Sequence, residues 1–137
     1  MEIRRFGVGN RQPDGPPGTV GVQGQVIHAD ARAVIREVAF ARRAAIEPHT
    51  NPNTTWFLVI EGGGWVRVGD EAARVGAGEA VLWPAGEVHA AWTELSEMRA
   101  IVVELVEGEL GQPLGGVLLS PPVTTGGGDP PPVPFLR

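Results

Sequence analysis

The sequence contains no cysteine, no tyrosine and no lysine, and only two serines, Ser96 and Ser120. A thiolate nucleophile, a lysine Schiff base and a tyrosine acid are therefore excluded. Ser96 lies in a polar turn, Thr93-Glu94-Leu95-Ser96-Glu97, and Ser120 precedes Pro121-Pro122, so neither sits where a Ser-His-Asp hydrolase holds its nucleophile. The titratable chemistry that is left consists of His28, His49 and His89, the carboxylates and the arginines, and any catalysis must use those or a metal. Basic charge is sparse as well: the net charge is −5 and the arginines are scattered, which is not the basic footprint that phosphate backbones require. No nucleic-acid partner is expected. No stretch approaches the roughly 18 apolar residues of a membrane span, and no apolar run follows Arg4-Arg5. The expectation is no membrane partner and a cytoplasmic location.

What is present points to strands. The 137 residues make about one domain, able to bury about two thirds of its unfolded surface. Gly 20 and Pro 13 far exceed ordinary usage, so turns and short strands should dominate. Residues 1–19 read as an irregular amino-terminal arm, 20–107 as a barrel and 108–137 as a Pro/Gly-rich tail. Gly21–Ala29 and Ala33–Ala41 form an expected hairpin, with a helix over Ala29–Ala45 as the rival on propensity alone. Thr54–Ile60 reads as a strand buried on both faces, Gly62-Gly63-Gly64 as a turn, and Gly69-Asp70 as the tip of a second hairpin. Glu79–Trp83, the segment through His89–Trp92, and Met98–Val106 supply the remaining strands. Many short, evenly spaced strands with Gly or Pro punctuation argue for an all-β antiparallel barrel or sandwich.

His49 and His89 lie in two segments that each adjoin a turn and a strand. In the second, Gly78 is followed by Pro84-Ala85-Gly86 and then His89; Pro84 pre-sets a turn and Gly86 permits a positive φ, aiming His89 into the next strand. In the first, His49 and Asn51 have the i, i+2 spacing that shares a strand face.

These residues resemble the two motifs of the cupin superfamily, G-x5-H-x-H-x3,4-E-x6-G and G-x5-P-x-G-x2-H-x3-N. Gly78, Pro84, Gly86 and His89 match the second, with Thr93 at its Asn. His49 and Gly62 match the first, while Asn51 stands at its second His, Thr55 at its Glu and Arg43 at its opening Gly. The resemblance spans roughly residues 34–106. It implies a double-stranded β-helix, the cupin jelly-roll barrel, and in many members a divalent metal such as Fe, Mn, Ni or Zn held by three His and one Glu. Here it would leave His49 and His89 as metal ligands, with His28, Glu47 or Glu61 as substitutes for the missing ones. The plainer alternative makes the two histidines hydrogen-bonded polar groups in a metal-free barrel, on Asn51, Thr55, Thr93 or water.

If Thr55 points inward as the motif Glu does, Phe57 and Val59 line the cavity with it, while Trp56, Leu58 and Ile60 face out and need a cover. The arm, the tail through Val117-Leu118-Leu119 and Phe135-Leu136, or a second subunit could supply it, and a homodimer is expected. The tryptophans as a group read as core or interface, and Glu94/Glu97 and Glu104/Glu107/Glu109 as solvated surface. The expected function is a small organic molecule bound in the barrel by His49, Asn51, Thr55, Phe57, Val59 and His89, a divalent metal being optional. The alternative is a metal-dependent enzyme of isomerase, dioxygenase or decarboxylase type with His49 and His89 as ligands. A third reading makes the chain a structural or regulatory partner subunit.

Overall fold

Asp30 decides between hairpin and helix near the amino terminus. Its Oδ1 accepts from the backbone N–H of Arg32 (2.7 Å) and Ala33 (3.0 Å), and its own N–H donates to the Ala33 carbonyl (3.0 Å), so the chain reverses. The flanking β-branched residues then form strands in place of the helix that their Ala and Arg content favours. The structure, a computed structural model, describes residues 1–106; the tail segments Val117–Leu119 and Phe135-Leu136 lie outside the described residues.

Eight strands follow in order among the described residues: β1 (Gln12–Pro13), β2 (Val20–Ala29), β3 (Ala33–His49), β4 (Thr54–Val68), β5 (Glu71–Gly76), β6 (Ala80–Trp83), β7 (His89–Trp92) and β8 (Met98–Leu105). All pairings are antiparallel. There is no helix among the described residues, hence none long and apolar enough to cross a membrane. The irregular arm expected at residues 1–19 contains β1, which pairs Gln12 with Gly24 and Pro13 with Gln23. A proline is accommodated there because the strand lies at the sheet edge.

Closure comes from the two long strands, each of which changes partner midway. The first half of β3 pairs with β8 (Ala33↔Leu105 to Phe40↔Met98) and its second half with β7 (Ala45↔Trp92). β4 does the same, pairing first with β8 (Thr54↔Leu105) and then with β7 (Trp65↔Trp92). The bend in β3 falls at Arg43, whose φ of 54° is the one positive value at a non-glycine residue among the described residues. Thr93 clamps that bend: its Oγ1 donates to the Ala41 carbonyl and accepts from the Ala44 N–H (3.0 Å).

The bend in β4 corrects the expected triglycine turn. Gly62, Gly63 and Gly64 lie inside a continuous strand, just after a register shift between Val59 and Glu61 that changes which side chains face inward. Gly62 has a φ of 71°, and a Cβ there would sit 1.9 Å from the Glu97 carbonyl oxygen; at Gly64 it would sit 2.5 Å from the Trp92 carbonyl oxygen. Three glycines therefore let neighbouring backbones approach the bend. The expectation that Thr54–Ile60 is buried on both faces is also corrected. Thr55, Phe57 and Val59 are buried, whereas Trp56 and Ile60 are 37% and 44% exposed, because one face meets the core and the other does not.

The core is built from the inward residues of this closed sheet, among them Val22, Val38, Phe40, Ile46, Phe57, Val59, Val66, Trp83, Met98 and Val102. Phe57 meets Phe40 edge-on at 6.1 Å and stacks on Trp83 at 4.7 Å. Outside the barrel, the Glu37 carboxylate is fully buried between two cations. Arg11 of the arm bonds it in bidentate fashion (2.8 and 3.1 Å), and Arg99 of β8 adds a 2.9 Å bond while also reaching Glu61. The Arg11 hydrogen bond, with Arg99 assisting, holds the Glu37 carboxyl below the usual carboxylate range. That clamp ties the arm to the barrel wall.

Candidate functional site

Two turns bring the site together. Pro84–Glu87 closes through the Glu87 N–H to the Pro84 carbonyl (3.2 Å), with Gly86 at a φ of 81°. The Gly86 N–H then donates to the Asn51 carbonyl at 2.8 Å, joining the turn before β7 to the turn after β3. His49, the last residue of β3, and His89, the first of β7, are cross-strand partners. Their ring centroids are 4.4 Å apart and their Nε2 atoms 3.2 Å apart.

The partners of the Nδ1 atoms define the chemistry of this pair. His49 Nδ1 lies 2.8 Å from the Glu47 carbonyl oxygen, and His89 Nδ1 lies 3.1 Å from the Glu87 carbonyl oxygen. A carbonyl only accepts, so each Nδ1 is assigned the ring proton and each neutral ring has a bare Nε2. Two Nε2 lone pairs thus face each other and call for a shared electrophile between or beside them. Burial pushes His89 down to about 4, the neighbouring His49 adding to the shift and its bond to the Glu87 carbonyl opposing it. Trp83 stacks flat on His89 at 4.2 Å and covers one side of the ring.

The pair lines a cavity of about 80 Å³. Asn51, Thr55 and Glu104 supply further polar groups; Val22, Val38, Ile46, Val102 and Trp83 supply apolar walls; and Asp14, Gly15 and Pro16 of the arm complete the lining with Arg36. The Arg36 guanidinium faces the Asp14 carboxylate at 3.8 Å. Asn51 Oδ1 accepts from the Asn53 N–H (2.8 Å), while its Nδ2 donates to Glu104 Oε1. Asn53 Nδ2 donates to Glu104 Oε2 at 3.2 Å. Thr55 Oγ1 donates to the Asn53 carbonyl at 3.3 Å.

Of the residues singled out from sequence, the structure brings His49, His89, Asn51 and Thr55 to one cavity. Phe57 and Val59 share the inward face with Thr55 but lie deeper, packed in the core and outside the cavity lining. The three substitutes for the missing motif ligands are elsewhere. His28 pairs with Asp30 (2.9 Å), Glu61 pairs with Arg99 (2.6 Å), and the Glu47 side chain lies against Gly18 of the arm. Thr93 serves the β3 bend. The residue missed is Glu104, expected on the solvated surface and found lining the cavity. Its signal was the alternation of β8: Met98, Ala100 and Val102 face inward, and the same period of two carries on to Glu104.

The donor set fits the corner of a metal site in one respect. Both histidines have Nδ1 fixed on a carbonyl and Nε2 free, as ligating imidazoles do. Among the described residues, no group of three or more His, Cys, Asp and Glu is placed to hold an ion.

Comparison with known proteins agrees with this architecture. A family model described as "Cupin domain" matches residues 36–106, half of the chain. The polyketide cyclase RemF from Streptomyces resistomycificus superposes with a TM-score of 0.70 at 24% identity, covering 88% of each chain. A cupin-like protein from Thermotoga maritima gives a TM-score of 0.64 at 20% identity over 74% of this chain and 82% of its own. KdgF from Halomonas sp. gives 0.60 at 20% identity over 71% of this chain and 91% of its own. At these identities the likeness is one of fold. No curated protein matches the sequence.

Proposed function

The chain belongs to the cupin domain family, and on that premise we propose that its barrel binds a small organic molecule held at one end by His49 and His89. One observation carries the reading: a half-buried and a buried imidazole, His49 and His89, whose Nδ1 atoms are occupied, turn bare Nε2 atoms toward each other, 3.2 Å apart, in a cavity with apolar walls. A ligand hydroxyl or enol proton satisfies such a pair, and Trp83 with Val38 and Val102 contacts the ligand body. Asn51 and Thr55 shape the cavity mainly through the turn they brace, while Phe57 and Val59 support its floor. The experiment is a thermal-shift screen of small hydroxylated and carbonyl compounds, followed by histidine ring NMR of the hits. Hits that move the His49 and His89 signals and lose their effect in His49→Ala and His89→Ala support the reading. Hits that act equally on all three proteins overturn it.

A second reading makes the shared electrophile a divalent metal and the protein an enzyme of isomerase, dioxygenase, decarboxylase or cyclase type. The carbonyl-fixed Nδ1 atoms favour it, and His49 and His89 would hold the ion, with water or the organic ligand completing its shell. When bound, such an ion supplies Lewis acidity toward a ligand oxygen. RemF, a polyketide cyclase by name, offers a precedent for ring-forming chemistry in a barrel of this fold. Metal analysis of protein purified without chelator decides: near-stoichiometric Fe, Mn, Ni or Zn that disappears in both alanine variants favours the enzyme.

The homodimer belongs to the same proposal. Trp56, Leu58 and Ile60 on the outer face of β4 adjoin Leu82 of β6 and Ile101 and Val103 of β8, through the register Trp56↔Leu82, Trp56↔Val103 and Leu58↔Ile101. A contiguous apolar sheet face of this kind supports association with a second copy. Mass measurement in solution, with Trp56→Glu as the disrupting variant, tests it: a wild-type monomer refutes it.

A further inference from the structure

We infer that Glu104 determines which ligand the barrel accepts, selecting a neutral molecule that presents a hydroxyl or enol donor over one that presents a carboxylate. The inference rests on the proposed binding beside His49 and His89 and adds the ligand's chemical class. Glu104 stands directly across from Thr55 in the β4–β8 register, so a carboxylate enters the cavity from β8 beside a β4 position occupied by a hydroxyl. Both of its oxygens are oriented by side-chain amides of one turn, Oε1 by Asn51 and Oε2 by Asn53. An ionised carboxylate has about four acceptor sites, so two amide donors fix its position and leave capacity for a ligand.

The polar groups around the cavity are mostly acceptors. The two histidines offer Nε2 lone pairs. Asn51 has committed one amide N–H to Glu104 and its oxygen to Asn53, and Thr55 has given its proton to the Asn53 carbonyl. The cation in the lining, Arg36, is offset in charge by Asp14 at 3.8 Å, an ion pair longer than a hydrogen bond. The Trp83 indole N–H, buried and without a hydrogen-bond partner, and the second N–H of the Asn51 amide are the neutral side-chain donors left in the lining. With Arg36 and Asp14 offsetting one another, Glu104 leaves the cavity with an uncompensated negative charge. A ligand carboxylate would meet like charge and lone pairs, whereas a hydroxyl supplies the proton they lack. A site built to hydrogen-bond a hydroxyl rejects analogues without it more strongly than an apolar pocket rejects a change of size.

Resorcinol and benzoate, single-ring probes of similar size with opposite hydrogen-bonding character, test this on the full 137-residue chain. Both are titrated near neutral pH while the His49 and His89 ring signals are followed by NMR. The wild type is expected to bind resorcinol about tenfold more tightly than benzoate, and Glu104→Gln is expected to reduce that preference to about threefold or less. Glu104→Asp, which retains the charge, is expected to keep it. If Glu104→Gln does not fold, the wild-type ranking together with Glu104→Asp decides. A preference for benzoate in the wild type, or an unchanged preference in a folded Glu104→Gln, overturns the role of Glu104; as long as resorcinol still moves both histidine signals, binding at His49 and His89 stands. Failure of both probes to move either histidine signal overturns both the inference and the reading beneath it.

Discussion

Acidification should weaken this barrel in a pH range where most carboxylates are still ionised, because His89 is folded into its core as a neutral ring. An ordinary histidine titrates at 6.5, and burial with His49 nearby holds His89 at about 4. Between those values the unfolded chain binds a proton that the folded chain refuses. The stabilisation is therefore complete above the ordinary value and is lost as pH falls toward the folded one. The full difference corresponds to roughly 3 kcal/mol, of which about 1.4 kcal/mol is gone by about pH 5.5. At a urea slope of about 2 kcal/mol/M, the midpoint should then drop by about 0.7 M between neutral pH and about pH 5.5. The assay is urea unfolding followed by tryptophan fluorescence, on the wild type and on His89→Gln, which has no ring to protonate. Glu37 does not confuse the result. Its carboxyl is held below its ordinary 4.5, so its contribution begins to be lost only once pH falls below about 4.5. A wild-type midpoint that stays constant down to about pH 4.5, or a variant with the same pH slope as the wild type, refutes the reasoning.

Two further predictions concern the elements that hold the site in place. Arg11→Ala leaves the fully buried Glu37 carboxylate with Arg99 as its remaining cation, and should cost about 1–3 kcal/mol while making residues 1–19 more sensitive to limited proteolysis. Unchanged stability and cleavage would show that the clamp does not hold the arm. Gly62→Ala places a methyl group 1.9 Å from the Glu97 carbonyl oxygen at a φ of 71°, and should lower stability by about 2–4 kcal/mol in thermal or urea unfolding. A neutral result would mean that the bend in β4 can relax away from β8.

Local chemistry was legible residue by residue. Pro84 and Gly86 announce the turn that aims His89, Gly69-Asp70 announces the hairpin tip, and the spacing around His49 and His89 places both at the ends of strands. The family resemblance carried by those residues also indicated the barrel. Less legible were features that depend on backbones distant in sequence. The triglycine reads as a turn until Glu97 and Trp92 are seen crossing it, and the contact of Arg11 with Glu37 joins positions 26 residues apart that no local pattern links.

The sequence by itself determined the strand character and the punctuation between strands, because period-two alternation and turn preferences act over a few neighbouring residues. Only the tertiary structure decided which inward positions reach the cavity and which lie beneath it. Thr55 and Phe57 share a face of β4, yet the first lines the cavity and the second supports Trp83 from below. Glu104 became a cavity residue for the same reason: barrel closure and the bends at Arg43 and Gly62 set how far each strand is displaced along its neighbour. That displacement is a property of the closed sheet as a whole, to which no short stretch of chain corresponds.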